Sequence, residues 1–184
     1  NLRSENYTDG SVIPADLDNA AWSATTAGAV TVQDEGSSNE GTNLATYGRL
    51  YNWYAVDDAR GLCPSGWHVP TDSEYMTLEM ELGMSYTDAN NTGFRGTDQC
   101  AQMKSSASDS PAFDGTNTSG FSGLAGGSRN DYGAFGSEGY SGFFWSASAL
   151  GSDAWYRFLD GGLTVVIRYN SSQRYGFSVR CVRD

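Results

Sequence analysis

The most regular pattern of apolar and polar residues lies at 72–82, where apolar side chains recur at helical spacing. Thr71 stands three residues before Glu74, which is the capping-box pattern of a helix start. Gly83 is a residue type that commonly ends a helix. We therefore predict one helix over 72–82 that packs along a single stripe. The stripe and its flanks comprise Tyr75, Leu78, Glu79 and Leu82, with Met76 and Met80 beside them.

The last part of the chain alternates with a period of two, which indicates β-strands. Turn-forming sequences, Asp-Gly-Gly and Ser-Ser-Gln, separate three such segments. The segments are "AWYRFL" (154–159), "LTVVIRYN" (163–170) and "RYGFSVRCVR" (174–183). This pattern predicts an antiparallel meander. In its last strand Cys181 shares the apolar face with Tyr175, Phe177 and Val179, so we expect its side chain to point inward.

The remaining segments carry weaker signals. Short strands are predicted in "GSVIPADL" (10–17) and "GAVTVQDEG" (28–36). The acidic, Gly/Ser-rich stretch 34–43 is interpreted as a solvated connector; a calcium loop is the alternative, although the D-x-D-x-D-G spacing is missing. Residues 84–150 are rich in Gly, Ser and Asn, so we expect long irregular loops that scattered aromatic side chains hold to the core.

Length and charge narrow the classes of function. The chain has 184 residues, which fits one domain, or one domain with an extension. Its formal net charge of −11 disfavours nucleic-acid binding and electrostatic binding to anionic membranes. No apolar run approaches the ~20 residues of a membrane helix, so no membrane insertion is expected. The acidic charge suits a secreted or surface protein. Because the first residue is Asn1 rather than Met, we interpret the chain as a mature or trimmed form.

One segment, "LCPSGWHVPT" (62–71), holds the only histidine, His68, together with Cys63, one of three cysteines. A Cys₃His zinc site is arithmetically allowed, but no C-x₂-C pair is present. A Cys/His nucleophilic pair is a second alternative. A third is a disulfide from Cys63 to the inward-facing Cys181, which would leave Cys100 odd. We expect His68 to be structural and hydrogen-bonded near the start of the predicted helix.

Several motifs occur in an order that resembles the Fibrobacter succinogenes major paralogous domain. They include "YGRLYNWYAV", "LCPSGWHVPTDSE", "GFRGTD", "SGFSGLAGGSRN", "FFWSAS" and "RYGFSVRCVRD". The resemblance covers at least residues 46–184 and implies an α+β, C-type-lectin-like fold. Such a fold has a twisted antiparallel sheet, one or two short helices and long irregular Gly/Ser/Asn-rich loops. The resemblance also implies that Cys63 and Cys181 are the family's paired cysteines, whereas Cys100 receives no role from it.

The same resemblance guides the expected function. It implies an extracellular or cell-surface protein, and no ordered catalytic motif is present, so we expect no enzyme activity, no cofactor and no metal. Residues 1–45 are interpreted as an extended N-terminal segment preceding a domain at 46–184. Family members usually begin with a further strand pair, so the domain should expose an edge that a neighbour's 1–45 segment could fill. The primary hypothesis is therefore a subunit of a homopolymeric filament assembled by strand donation.

The alternative hypothesis is a lectin-like adhesin module that binds glycans. Aromatic side chains that could stack on sugars are Trp145, Trp155 and Tyr156, although all three could equally be buried. Four Asn residues open N-x-S/T sequons and are candidate glycosylation sites: Asn6, Asn90, Asn117 and Asn170.

Overall fold

A six-stranded sheet forms the centre of the computed structural model, which describes residues 1–184. The helices are α1 Asn19–Ala24, α2 Glu40–Tyr47, α3 Trp53–Val56, α4 Asp72–Glu81, α5 Tyr86–Asn90 and α6 Gln99–Met103. The strands are β1 Val30–Val32, β2 Arg49–Tyr51, β3 Trp67–His68, β4 Gly93–Arg95, β5 Gly126–Arg129, β6 Phe135–Glu138, β7 Ser141–Leu150, β8 Asp153–Asp160, β9 Val166–Ser172 and β10 Val182–Arg183. The α+β class predicted from the sequence is confirmed.

The central sheet has the strand order β4-β9-β8-β7-β5-β6, and its pairs are antiparallel except for β5 with β7. Two small antiparallel pairs accompany it, β1 with β2 and β3 with β10. None of the helices has the length and hydropathy that a membrane span requires.

Helix α4 confirms the clearest sequence prediction. The Thr71 side chain accepts a hydrogen bond from the Glu74 amide, and the Glu74 side chain accepts one from the Thr71 amide, which completes the capping box. Gly83 follows the helix with φ +97°, a conformation that glycine adopts without strain. Tyr75 and Glu79 of the predicted stripe are buried, so α4 packs along this stripe against the sheet.

The structure does not separate residues 1–45 from the rest of the chain. The Leu2 amide donates to the Val179 carbonyl at 2.9 Å, and the Arg49 amide donates to the Leu2 carbonyl at 3.0 Å. Ile13 and Trp22 are completely buried, and Ile13 belongs to the same apolar cluster as Trp145. The predicted boundary at residue 45 is therefore corrected: the N-terminal segment is part of the same core.

Two local predictions near the N-terminus also need correction. The segment 10–17 forms no strand and contributes only an isolated bridge between Val12 and Asn6. The connector predicted over 34–43 is helical from Glu40 onward, because α2 begins there. The strand predicted in 28–36 exists as the shorter β1.

The middle and the end of the chain differ from the predicted pattern as well. The stretch 84–150 contains the ten-residue strand β7, so it is more regular than its composition indicated. Strands β8 and β9 form the predicted hairpin, but residues 174–181 do not pair with β9. Instead this terminal segment forms bridges to three separate partners, from Gly176 to Arg129, from Phe177 to Tyr51 and from Ser178 to Phe144. It joins the N-terminal half to the sheet, which a local turn pattern cannot reveal.

Candidate interaction surface

Helix α4 covers one face of the central sheet through a buried layer of charged side chains. The Glu79 carboxylate accepts from Arg157 Nε at 2.6 Å and from both terminal nitrogens of Arg95 at 2.8 Å. Asp72 accepts from Arg157 Nη1 at 2.6 Å and from Arg168 Nη2 at 2.6 Å. All five side chains are nearly or wholly buried. Each charge has a partner, so the layer fixes how α4 sits on β8 and β9.

The pKa of Asp72 reflects this layer. Burial alone would raise the pKa of the carboxyl group, but hydrogen bonds from Arg168 and the charge of Arg157 outweigh burial and lower it. Asp72 is therefore ionised in the folded protein, and its two arginine partners depend on that charge.

The opposite face of the sheet is aromatic. The strand register places Phe94 of β4, Ile167 of β9, Phe158 of β8 and Phe143 of β7 in one row across four strands. The neighbouring row on the same face consists of Tyr169, Tyr156 and Trp145. Paired residues of neighbouring strands share a face, so these two rows form one layer in which every side chain except Ile167 is a ring.

The rings of β7 and β8 in this layer are in contact, and the rings nearest the β4 edge are the most exposed. Phe143 and Phe158 are stacked with their centroids 4.6 Å apart and their planes within 2°. Trp145 is completely buried, whereas Phe94 is 69% exposed and Tyr169 is 52% exposed. We define the open part of this layer as the aromatic face: Phe94, Phe143, Tyr156, Phe158 and Tyr169.

The aromatic face carries no charged side chain, although the protein has a formal net charge of −11. Along β8 the next acidic residue on this side is Asp160, whose carboxylate accepts a hydrogen bond from the Gly162 amide at 2.8 Å. We take this uncharged aromatic area as the candidate binding surface, because exposed apolar patches are where proteins often bind partners.

The structure does not bring the three predicted sugar-stacking residues together. Trp145 lies in the core, where its Nε1 donates to the Tyr51 carbonyl at 2.9 Å. Trp155 lies on the helix-covered face, with the Arg168 guanidinium 4.0 Å above its ring centre. Only Tyr156 belongs to the aromatic face, and it is half-buried against Phe177. The prediction is corrected accordingly: Phe94 and Tyr169, which sequence reasoning missed, are the most exposed rings of the aromatic face.

A comparison with protein families matches the Fibrobacter succinogenes major domain over residues 1–183. The chain belongs to this family. The match includes residues 1–45, in agreement with their place in the core of this family member. No curated protein and no solved structure gives a significant match.

Cys63 and Cys181 form a disulfide, with their Cα atoms 5.9 Å apart and a sequence separation of 118. The bond ties the loop before β3 to the terminal segment. Cys100 is free and buried on the helix side of the sheet, and burial raises the pKa of its thiol. A protonated, inaccessible thiol is a poor nucleophile.

His68 lies beside the start of α4, as predicted for a structural residue. Its Nε2 is 2.8 Å from Glu74 Oε1, and its Nδ1 is 2.6 Å from Asp184 Oδ1. These contacts, with Asp184 contributing most, raise the pKa of His68. Both ring nitrogens are engaged by carboxylates, so neither is free for a metal or for a nucleophile. No group of His, Cys, Asp and Glu side chains is arranged to hold a metal ion.

The four sequons differ in their surroundings. Asn6 and Asn90 are exposed. The side-chain amide of Asn117 donates to Ser122 at 2.8 Å, and that of Asn170 donates to Asp153 at 2.6 Å. A glycan on either of the latter two would break these contacts. Glycosylation of this protein stays a prediction. An intact mass equal to that of the bare polypeptide would exclude glycosylation at all four sites.

Proposed function

We propose that this domain is a non-catalytic structural module of a cell-surface assembly, and that copies of the chain associate through the aromatic face. The observation that carries the proposal is that two exposed, uncharged rings, Phe94 and Tyr169, share one face of the central sheet in an acidic protein. A disulfide that joins distant segments suits an oxidising, extracellular setting.

The exposed area of the aromatic face indicates how much of an interface between two copies it could form. An aromatic side chain offers about 150–250 Å² of surface, so the exposed fractions of Phe94 and Tyr169 together give about 250 Å². A stable interface buries about 800 Å² on each partner. The aromatic face therefore has the size of an apolar interface centre and needs a polar rim around it.

A second copy of the chain would meet the least electrostatic repulsion at the aromatic face. Two chains of net charge −11 repel one another, and contacts between most of their surfaces would bring carboxylates together. The aromatic face avoids this cost, because it offers apolar area without charge. Two such sheets can pack face to face about 10 Å apart.

This proposal is narrower than the filament predicted from the sequence. Strand donation by residues 1–45 would first have to break their own contacts, such as the bond from Leu2 to Val179. Face-to-face contact of identical surfaces closes into a dimer, so a filament requires a second, different interface. The lectin hypothesis finds less support, because two of its three stacking residues lie away from the aromatic face.

Sedimentation velocity over a range of protein concentrations tests the proposal. The wild-type chain should associate, and Phe94→Asp should shift it towards the monomer of 19.7 kDa, because a carboxylate would enter an apolar contact. Tyr86→Asp is the matched control: Tyr86 is 67% exposed, close to the 69% of Phe94, but lies on α5 outside the aromatic face. It should leave association unchanged.

Ionic strength provides an independent readout. Salt screens the repulsion between acidic chains, so association through an uncharged face should strengthen as salt is added. A wild-type chain that remains monomeric throughout would refute self-association. Binding of a soluble polysaccharide by that monomer, lost in Phe94→Asp and kept in Tyr86→Asp, would favour the lectin hypothesis instead.

A further inference from the structure

A cavity of about 270 Å³ lies between α4 and the terminal segment, on the other side of the sheet from the aromatic face. Its walls are largely apolar and include Leu78 and Phe121, and the Phe121 ring stands edge-on to Tyr75 with the centroids 6.4 Å apart. Its volume is near the lower end of the range for small-molecule sites. The cavity can therefore hold a chemical group about the size of one aromatic ring.

Arg180 brings a positive charge into this cavity. Its guanidinium lies over the Phe121 ring at 4.8 Å, and Nη1 donates to the Ser122 carbonyl at 3.3 Å. No ion pair includes Arg180, and burial lowers its pKa. The five most buried arginines of the chain each have a carboxylate partner: Arg49, Arg95, Arg129, Arg157 and Arg168. Arg180 thus holds a partly desolvated charge that lacks an anion.

A second unsatisfied polar group lines the same cavity. Tyr75 is 1% exposed, and its hydroxyl has no hydrogen-bond partner. A buried hydroxyl without a partner is uncommon and destabilising unless something binds it. Glu74, the carboxylate at the rim, does not supply an anion to Arg180, because its oxygens bind Thr71 and His68.

We infer that this cavity binds a small carboxylate with an apolar body. The carboxylate would pair with Arg180, the tyrosine hydroxyl would donate to an oxygen of the ligand, and the apolar body would lie against Phe121 and Leu78. This inference is independent of self-association through the aromatic face. Two sources share the chemistry: a free organic acid, and the carboxyl terminus of a peptide that ends in an apolar residue.

NMR titration of the full chain tests the inference with phenylacetate and its neutral isostere phenylacetamide. We expect phenylacetate to shift the Arg180 Nε resonance and to bind about tenfold more tightly than the amide, because charge-assisted hydrogen bonds to guanidinium are strong. A tripeptide Gly-Gly-Phe, with a free or an amidated carboxyl terminus, distinguishes the two sources. Binding of the free tripeptide but not of phenylacetate would assign the site to peptide termini.

Variants locate the effect. Arg180→Gln should abolish the preference for phenylacetate over phenylacetamide. Arg183→Gln removes the same charge from an exposed position on β10, and this variant should retain the preference. If Arg180→Gln does not fold, the affinities of the wild-type chain for phenylacetate and for phenylacetamide still test the inference. Equal affinity for phenylacetate and phenylacetamide, absence of any binding, or equal loss in both variants would overturn the inference.

Discussion

Replacing Glu79 by Gln should destabilise the domain strongly, because Glu79 holds two buried arginines in place. Its carboxylate accepts one bond from Arg157 at 2.6 Å and two from Arg95 at 2.8 Å, and all three side chains are at most 1% exposed. The amide of Gln keeps the shape but removes the charge, and its NH₂ group would face a guanidinium. Arg157 would retain Asp72, whereas Arg95 would keep no carboxylate.

Breaking a buried ion pair from one side costs about 3–5 kcal/mol, since the remaining charge stays desolvated. For a domain of this length each kcal/mol lowers the melting temperature by about 2–4 °C, so Glu79→Gln should lower it by about 6–20 °C. Urea unfolding with the disulfide intact, followed by tryptophan fluorescence, measures the loss. The matched control is Glu81→Gln, on the exposed side of the same helix, which should change stability by less than about 0.5 kcal/mol.

A loss below about 1 kcal/mol in Glu79→Gln would refute this reasoning. It would mean that water or rearrangement compensates the arginines, and that the charged layer does not hold α4 on the sheet. An equal loss in Glu81→Gln would show instead that the helix itself, rather than the ion pairs, is sensitive to these substitutions.

Three further predictions concern the disulfide and pH. Reduction of the Cys63–Cys181 bond should cost about 5 kcal/mol, because it frees a loop of 118 residues in the unfolded chain, and a melt with and without dithiothreitol checks this. Because the pKa of Asp72 is lowered in the folded protein, its ionised form stabilises the fold. This stability is complete above the unfolded-state pKa of about 3.9 and is lost as pH falls through the lower folded-state pKa. The urea midpoint of the wild type should therefore fall more steeply on acidification than that of Asp72→Asn. The raised pKa of His68 contributes stability below about 6.5 that is lost as pH rises through its folded-state value, and Asp184→Asn should lower the pKa seen by NMR.

The sequence predicted elements whose signals are local. The capping box of Thr71 and Glu74 defines the start of α4 within one turn, and the Asp-Gly-Gly turn defines the β8–β9 hairpin. The position of the terminal segment could not be predicted this way. Its backbone hydrogen bonds join it to Tyr51, to Arg129, and to Phe143 and Trp145 of β7. These residues are far from it in sequence, and no local pattern encodes that choice.

The aromatic face could be predicted from the sequence only in part. Aromatic or β-branched residues alternate at i and i+2 on three consecutive strands, in Phe143-x-Trp145, Tyr156-x-Phe158 and Ile167-x-Tyr169. This alternation shows that each strand carries rings on one side. How much of each side remains open is a tertiary property. Helix α4 covers one side through Asp72 and Glu79, and Phe177 of the terminal segment covers the β7 end of the other side, so that side is open only towards β4. Phe94 joins the face only through the pairing of β4 with β9.

The most direct test of the central proposal is to follow ring resonances of the aromatic face by NMR while the protein is diluted. If copies meet at this face, the ring signals of Phe94 and Tyr169 should move with concentration, because neighbouring rings of the second copy shift them, while the signals of Tyr86 on α5 stay constant. Constant Phe94 and Tyr169 signals, in a sample whose sedimentation shows association, would place the contact elsewhere and contradict the proposal.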